Sequence, residues 1–262
     1  MPIKTPIGYA TQQDIFVRGK NLSTDIIPHA DFVDMLSLCV FGHYPEPRFK
    51  RMLNLLMVTA CDHGFTPISM VGRLTYLGAP ESMQGAVAAG LLGAGNTYLG
   101  VTQNVAEMLL SEAADLRDDS PQQAFEAQAR DLLARYAAVK RKISGVGHPI
   151  HTDGDPRVPA LREISRTEGY YGKHWKLLDA IEAVNRRESK RFFPINGAGA
   201  MGAIAAELGL DPKAARGLAL VGRAAGLVAH IIDESQAPTG PEMWKLVLAE
   251  EKRTLAAEGI AV

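Results

Sequence analysis

The residues best suited to chemistry form a glycine-rich turn, Ser144–His148, with an arginine, Arg157, further along. Glycine at 145 and 147 lets the backbone approach a ligand closely, and the imidazole of His148 follows at once. An imidazole together with the bidentate fork of a guanidinium can hold a carboxylate and an adjacent oxygen. The motif therefore predicts an anion site, and the alternative is a solvated loop.

The same segment also offers donors for a metal. His148 and His151 lie three residues apart, and Asp153 and Asp155 follow. A metal-dependent hydrolase using His148, His151 and Asp153 is one interpretation. We rank it below anion binding and predict no metal, because a loop containing glycine and proline does not fix two imidazoles as a helix would. Elemental analysis of the pure protein tests this prediction.

Two further polar positions stand beside apolar segments. Asp62 and His63 follow the apolar run 53–60, and Asn196 precedes the small residues 198–206. Each can be a helix cap with its hydrogen bonds satisfied, a role that asparagine fills well. Each can equally contribute a polar group to a site at the edge of the core. The residues alone leave both interpretations open.

Basic clusters lie before two of the glycine turns, at 140–142 and at 186–191. Phosphate groups can dock on such clusters, although charge runs on helices are usually solvated faces. Neither cluster matches a Walker or dinucleotide-binding glycine pattern. The clusters favour a phosphate-bearing ligand without specifying one.

Helical patterning dominates the chain, and strand signals are nearly absent. The segments 53–60 and 83–92 are apolar enough to be core helices. Ser120 and Asp211 each precede a proline, an arrangement typical of a helix start with the polar residue as N-cap. These patterns predict an all-α fold.

Composition limits the classes of function. The chain has 262 residues, 47% hydrophobic and 22% charged, with a formal net charge of -1, so we expect one or two globular domains and no nucleic-acid partner. Its two cysteines, Cys39 and Cys61, are expected to be buried thiols. The uncharged stretch 82–106 carries Gln84, Asn96, Thr97, Thr102, Gln103 and Asn104, and it predicts a buried helix and turn, with no membrane partner. The first twenty residues lack a secretion signal, which favours the cytoplasm.

Taken in order, four motifs resemble the citrate synthase superfamily, and especially its short branch of citryl-CoA lyase and the matching C-terminal part of ATP-citrate lyase. The resemblance extends over most of the chain, and the glycine turn is its most specific element. The motifs are Asp62-His63-Gly64, Gly145-Val146-Gly147-His148 with Asp155-Pro156-Arg157, Pro194-Ile195-Asn196-Gly197, and Gly222-Arg223-Ala224-Ala225-Gly226 ending in Ala229-His230.

This resemblance implies an all-α fold in which a smaller helical domain is inserted into a larger one. We place the large domain at 1–108 and 209–262 and the small domain at 109–208. The two domains would close over a coenzyme A thioester, used as substrate, and an oxo or hydroxy acid. A homodimer or higher homo-oligomer is expected.

The resemblance also implies roles for individual residues. His63 and His148 would bind the oxygens of the acid, with His148 acting on its carbonyl or hydroxyl, and Arg157 and Arg223 would bind its carboxylates. A third set would bind coenzyme A, with the glycine turn near the adenine and the basic residues as candidates for the phosphates: Gly145, Val146, Gly147, Arg187 and Lys190.

Three departures from the family pattern bear on the activity. Citrate synthases place a histidine in a glycine-flanked turn where this chain has 95–100, a segment without one, as in the ATP-citrate lyase branch. The catalytic aspartate aligns with Asn196, whose amide cannot act as a general acid or base near neutral pH. The segment 235–240 lacks the family's carboxylate-binding arginines, so a substrate with fewer carboxylates is plausible. Tyr98, His230 and Asp233 are candidates for the missing proton transfer.

The leading interpretation is a citryl-CoA lyase-like enzyme that cleaves or forms a carbon–carbon bond between an acyl-CoA, such as acetyl-CoA, and an oxo acid, such as oxaloacetate. In it, His148, Asn196 and His63 form the catalytic set, and Asn196 orients the thioester oxygen. One alternative acts on a different hydroxyacyl-CoA. The other is a non-catalytic relative that binds coenzyme A or a carboxylate.

Overall fold

The computed structural model describes residues 5–260 and confirms the all-α prediction. Helices dominate this part of the chain, and one buried hydrophobic cluster joins most of them. The helices are α1 (Phe32–Phe41), α2 (Pro47–Cys61), α3 (Pro67–Gly78), α4 (Met83–Leu92), α5 (Gly100–Glu112), α6 (Gln122–Ala138), α7 (Arg157–Thr167), α8 (Lys173–Glu188), α9 (Gly197–Glu207), α10 (Pro212–Gln236) and α11 (Gly240–Ala257).

A small antiparallel sheet precedes the helices. Its strands are β1 (Gly8–Ala10), β2 (Ile15–Val17) and β3 (Lys20–Asn21), paired in that order, and one π-helical turn, Leu22–Ile26, follows. These strands were not predicted, because two or three residues are too few to show an alternating pattern. Val17 of β2 is buried together with Ile26 and Leu38 in a second, smaller apolar cluster, which contains none of the motif residues named above.

The long helix α10 packs against the end of α2, next to the turn that carries Asp62 and His63. Its start is as predicted, with the Asp211 carboxylate accepting the Lys213 N–H at 2.7 Å. A Cβ added at Gly222 or Gly226 would collide with the carbonyl oxygens of Met57 and Cys61. Glycine at both positions therefore lets α10 lie directly on the end of α2, and this contact fixes the turn that carries Asp62 and His63.

The start of α6 differs from the prediction by one residue. The N-cap is Pro121 rather than Ser120, and it makes no side-chain cap hydrogen bond. The Ser120 hydroxyl instead accepts the backbone N–H of Arg117 at 2.9 Å. The serine therefore closes the preceding turn, and the prediction that it caps α6 was wrong.

The two apolar segments with membrane-like composition belong to the folded core. Residues 82–106 form the N-cap and body of α4, a turn and the first half of α5, as expected. Helix α10 is long and apolar enough to span a membrane, yet it packs against α2, α4 and α5. The buried cluster also includes Leu53 and Leu218 from the predicted large domain and Phe125 and Trp175 from the predicted small one. The domain division stays a prediction.

Candidate active site

The glycine turn lies against the entrance of α9 and is held there by backbone hydrogen bonds. The Gly147 N–H donates to Pro194 O at 2.7 Å, and the Asn196 N–H donates to Gly145 O at 2.9 Å. Between them, Val146 and Ile195 form an isolated antiparallel bridge. His148 and Asn196 are thus placed relative to each other by main-chain contacts, which a substitution of either side chain leaves in place.

Both glycines of the turn are required by its geometry. Gly145 has φ +86° and Gly147 has φ +79°, in the left-handed region that side chains disfavour. A Cβ at Gly145 would also come within 2.7 Å of Val105 and 2.8 Å of Gly199. The turn can therefore approach α5 and α9 closely, as the spacing of glycines predicted.

His148 is held as a neutral imidazole with a defined tautomer. Its Nδ1 accepts the backbone N–H groups of Ile150 and His151, both at 3.1 Å. The proton of the neutral ring must therefore be on Nε2, which makes Nε2 a hydrogen-bond donor. Burial lowers the pKa of His148, and the neighbouring His151 and His63 lower it further. The ring is prepared to donate to an oxygen.

Three imidazoles meet at this point. The ring centroids of His148 and His151 are 4.6 Å apart, and those of His63 and His148 are 5.2 Å apart. His151 Nε2 and His63 Nε2 are 3.3 Å apart, so one donates a hydrogen bond to the other. The turn after α2 and the loop after the glycine turn therefore contribute to one cluster.

The cluster bears on the metal alternative. One ring nitrogen from each of the three imidazoles lies within 4.8 Å of the others, a spacing that a metal ion can use. The sequence hypothesis named His148, His151 and Asp153 as the ligands. In the structure the third member of the group is His63, and Asp153 is exposed. A metal needs the lone pair of an imidazole nitrogen, whereas His148 has Nδ1 engaged by two N–H groups and a proton on Nε2. These contacts favour hydrogen bonding to an oxygen over metal binding.

Arg157, the first residue of α7, is fixed by a buried carboxylate. Its Nε and Nη2 donate to Asp155 at 3.0 and 2.7 Å, and Asp155 also accepts the Gly197 N–H at 2.8 Å. Burial alone would raise the pKa of Asp155, but the hydrogen bonds and charge of Arg157 hold it far below its usual range. Asp155 thus ties the starts of α7 and α9 together and aims the guanidinium. From the sequence, Asp155 was named as a possible metal donor and as part of the Asp155-Pro156-Arg157 motif, and this role was missed.

On the opposite side, a charged network holds the turn after α2. His230 Nδ1 accepts the Arg73 Nε–H at 3.0 Å, and His230 Nε2 donates to Asp62 at 2.8 Å. Arg73 also pairs with Asp233 and Glu234, each at 2.6 Å. Asp62 in turn accepts the Gly64 N–H at 3.0 Å. The network therefore positions His63 through its neighbour Asp62, and it occupies His230 and Asp233, two of the candidates for proton transfer.

Arg223, on the face of α10 toward this turn, is buried with a relative exposure of 6%. Its Nε and Nη1 have no hydrogen-bond partner among residues 5–260. Burial lowers the pKa of Arg223, the negative charge of Asp62 opposes that shift, and the positive charge of Arg157 adds to it. An unsatisfied buried guanidinium is costly, and an anionic ligand is the partner that would satisfy it.

Asn196 is the N-cap of α9. Its Oδ1 accepts the Gly199 N–H at 2.9 Å, and its Nδ2 donates to Gly147 O at 2.7 Å. The side chain also contributes to the wall of a cavity that opens beside the glycine turn. Both interpretations of this residue thus find support, although its amide groups are already hydrogen-bonded to the backbone.

A cavity of about 780 Å³ opens beside the glycine turn. The turn and His148 form one wall, and Phe192 and Phe193 contribute apolar surface. Its cationic side chains come from the two basic clusters found in the sequence. They are Arg141, Lys142 and Arg191.

The structure does not bring every predicted residue to this cavity. Arg187 is exposed and pairs with Glu126 of α6 at 2.6 Å, and Lys190 is exposed outside the cavity wall formed by the described residues. Arg191, one residue after Lys190, lines the cavity instead. Tyr98 is 44% exposed on the turn before α5. A basic run indicates the correct segment, but Lys190 and Arg191 lie beyond the end of α8 at Glu188, so the path of the following loop decides which side chain faces the cavity.

The comparisons with known proteins agree with this architecture. A family model described as the citrate synthase C-terminal domain matches residues 7–241, and the chain therefore belongs to the citrate synthase family. A 2-methylcitrate synthase from Mycobacterium tuberculosis is 24% identical over 218 residues, covering 81% of this chain and 52% of the relative. The chain thus spans about half the length of that curated relative.

Two solved structures show where in this family the fold lies. The citryl-CoA lyase of Hydrogenobacter thermophilus superposes with a TM-score of 0.76 and 28% identity, covering 88% of this chain and 86% of that one. The ATP citrate lyase of Methanosaeta concilii in complex with (3S)-citryl-CoA gives a TM-score of 0.73 at 18% identity, covering 90% of this chain and 39% of that one. The helical fold of the chain is that of these lyases.

Proposed function

We propose that this protein is a citryl-CoA lyase-like enzyme, which cleaves a β-hydroxyacyl-CoA into an acyl-CoA and an oxo acid or forms it from them. The observation that carries this proposal is the Nε2–H donor of His148 in the wall of a cavity with three cationic side chains, together with a carboxylate-fixed guanidinium, Arg157, whose charge acts on His148. An imidazole donor beside a carboxylate clamp suits an alkoxide or carbonyl next to an acid group.

The substrate class follows from the chemistry of the two sides. The cavity has apolar and cationic surface, which fits the pantetheine and the phosphates of a coenzyme A thioester. The acid side has Arg157 and the unsatisfied Arg223, which fit carboxylates. Support also comes from the citryl-CoA lyase structure, because the superposition with this chain covers 86% of the length of that lyase.

In this proposal each residue has a limited task. Arg157 and Arg223 hold the acid, and His148 Nε2–H stabilises the oxygen that changes between hydroxyl and carbonyl as the carbon–carbon bond breaks or forms. The glycine turn, Gly145 to Gly147, is proposed to lie near the adenine of coenzyme A. Arg141, Lys142 and Arg191 are proposed to contact phosphates.

The test is incubation with a panel of hydroxyacyl-CoA thioesters, including citryl-CoA, followed by detection of acetyl-CoA or propionyl-CoA by mass spectrometry. The expected result is release of an acyl-CoA from at least one thioester, and its loss in His148→Asn by about a hundred-fold or more. No release from any thioester would reject the enzymatic proposal.

Asn196 supports a second candidate, a relative that binds coenzyme A or a carboxylate without turnover. Its amide is engaged by Gly147 and Gly199, and it replaces the aspartate that the family resemblance leads one to expect. Asn196→Asp separates the two functions. Citryl-CoA cleavage that occurs only in this variant would favour the binding protein, whereas cleavage by the wild type favours the enzyme.

We also propose a homodimer or higher homo-oligomer in the cytoplasm. The support is an apolar surface on α11, where Trp244 is 60% exposed, Leu246 71% and Val247 66%. Light scattering on the purified protein should give twice the chain mass or more. A monomer at micromolar concentration would reject this part of the proposal.

A further inference from the structure

The reaction proposed above must move one proton, and the described residues leave few groups able to carry it. When a β-hydroxyacyl-CoA is cleaved, the hydroxyl loses its proton, the carbon–carbon bond breaks, and the α-carbon of the acyl-CoA gains a proton. One group that takes the first proton and supplies the second balances the reaction without any other reactant.

Three polar groups of the site, Asn196, Asp155 and His148, are unsuited to this task. Asn196 is an amide with both ends hydrogen-bonded to backbone. Asp155 is committed to Arg157 and to the Gly197 N–H. His148 itself has Nδ1 engaged by two N–H donors, so it has no free lone pair with which to accept a proton.

His63 and His151 are different, because their Nε2 atoms face each other at 3.3 Å. In a hydrogen bond between two neutral imidazoles one ring gives its Nε2–H and the other a lone pair, so the donating ring keeps a free lone pair on Nδ1 that can take a further proton. A point central to the three ring nitrogens of the cluster lies about 2.8 Å from each, given their mutual separation of at most 4.8 Å. One substrate oxygen can therefore contact all three rings.

We propose that His151 is a further catalytic residue, which takes the substrate hydroxyl proton in concert with His63 and returns it to the α-carbon. This inference rests on the proposed function. His151 is tied to His148 by its own backbone N–H and by ring stacking at 4.6 Å, so the proton carrier and the oxygen-binding donor lie on one rigid loop.

The test compares cleavage by the wild type, His151→Ala and His151→Gln, with His43→Ala as control, since His43 is exposed and lies outside the cluster. We expect kcat to fall about a hundred- to ten-thousand-fold in both His151 variants. Added free imidazole should restore a substantial part of the rate in His151→Ala and none in His151→Gln, where the side chain fills the space. His43→Ala should match the wild type. Circular dichroism and melting temperature verify that all variants fold.

Three results would overturn the inference. The first is unchanged kcat in His151→Ala. The second is full activity in His151→Gln, which would show a positioning role. The third is a slow His151→Ala variant that imidazole does not restore. If the wild type itself cleaves no thioester, the proposed function has failed, whereas each of the three results above requires an active wild type and rejects only the role of His151.

Discussion

The two arginines of the proposed acid site stand in opposite surroundings. Arg157 begins α7 and donates two hydrogen bonds to the buried carboxylate of Asp155. Arg223 lies in the middle of α10 with a relative exposure of 6%, and two of its nitrogens have no partner among residues 5–260. Two nitrogens of Arg157 are satisfied by the fold, whereas two nitrogens of Arg223 are left for a ligand.

The difference between the two arginines distinguishes hydrogen bonds that stabilise the fold from hydrogen-bonding groups that are available to a ligand. A buried ion pair that loses one partner leaves an uncompensated charge, so the fold depends on Arg157. A buried cation without a partner reduces the stability of the free protein and gains most when an anion binds. We therefore expect substitutions at the two positions to change the free energy of unfolding in opposite directions.

The largest expected effect is at Arg157. Arg157→Met leaves the carboxylate of Asp155 buried without its cation, and we expect the free energy of unfolding to fall by about 3 to 5 kcal/mol. Urea denaturation at neutral pH measures this change. The double variant Arg157→Met with Asp155→Asn is the matched control and should recover part of the loss. A single variant as stable as the wild type would show that the pair contributes nothing to the fold.

A smaller effect of opposite sign is expected at Arg223. Arg223→Met replaces an unsatisfied buried cation by an apolar chain and should raise the free energy of unfolding by about 1 to 3 kcal/mol. The melting temperature of the wild type should also rise with added citrate, and that rise should be smaller in the variant. A variant that is less stable than the wild type would contradict the account of Arg223 as a group awaiting an anion.

His148, in contrast to the two arginines, is expected to make the stability of the fold depend on pH near neutrality. The pKa of His148 is lowered below the ordinary 6.5 by burial and by His151 and His63. The unfolded chain therefore binds this proton first, so the stability due to neutral His148 is fully present above pH 6.5 and is lost as the pH falls toward the lowered pKa. Melting temperatures between pH 7.5 and 5.5 should fall more steeply in the wild type than in His148→Gln. Parallel curves would contradict this assignment.

The smallest effects concern the cationic residues near the cavity. Arg191 lines the cavity, whereas Arg187 pairs with Glu126 outside it. We expect Arg191→Ala to raise the KM for a coenzyme A thioester about three- to ten-fold, equivalent to about 1 kcal/mol. Arg187→Ala should change it less than two-fold. A larger effect at Arg187 than at Arg191 would restore the assignment made from the sequence.

Much of the fold was predictable because its signals are local. The apolar segments of α2 and α4 and the Asp211 cap of α10 each have a pattern within a few residues, and the structure confirms them. The three short strands gave no such pattern, and Ser120 was placed one residue wrong because its hydroxyl serves the preceding turn.

The site was predictable only in part, since it depends on contacts between distant segments. The glycine spacing identified the turn, and its two positive φ angles explain that signal. The sequence contained no sign that Asp155 joins the starts of α7 and α9 or that His151 meets His63 across 88 positions. Which side chain of the basic run 186–191 faces the cavity likewise depends on the path of the loop between α8 and α9.

The most direct test of the central claim is a crystal structure of the protein with coenzyme A and oxaloacetate. We expect a carboxylate of the acid within hydrogen-bond distance, about 3 Å, of Arg157 or Arg223. The carbonyl oxygen of the acid should accept a hydrogen bond from His148 Nε2, and the pantetheine should lie in the cavity beside the glycine turn. An acid bound away from His148 and both arginines, or coenzyme A outside that cavity, would contradict it.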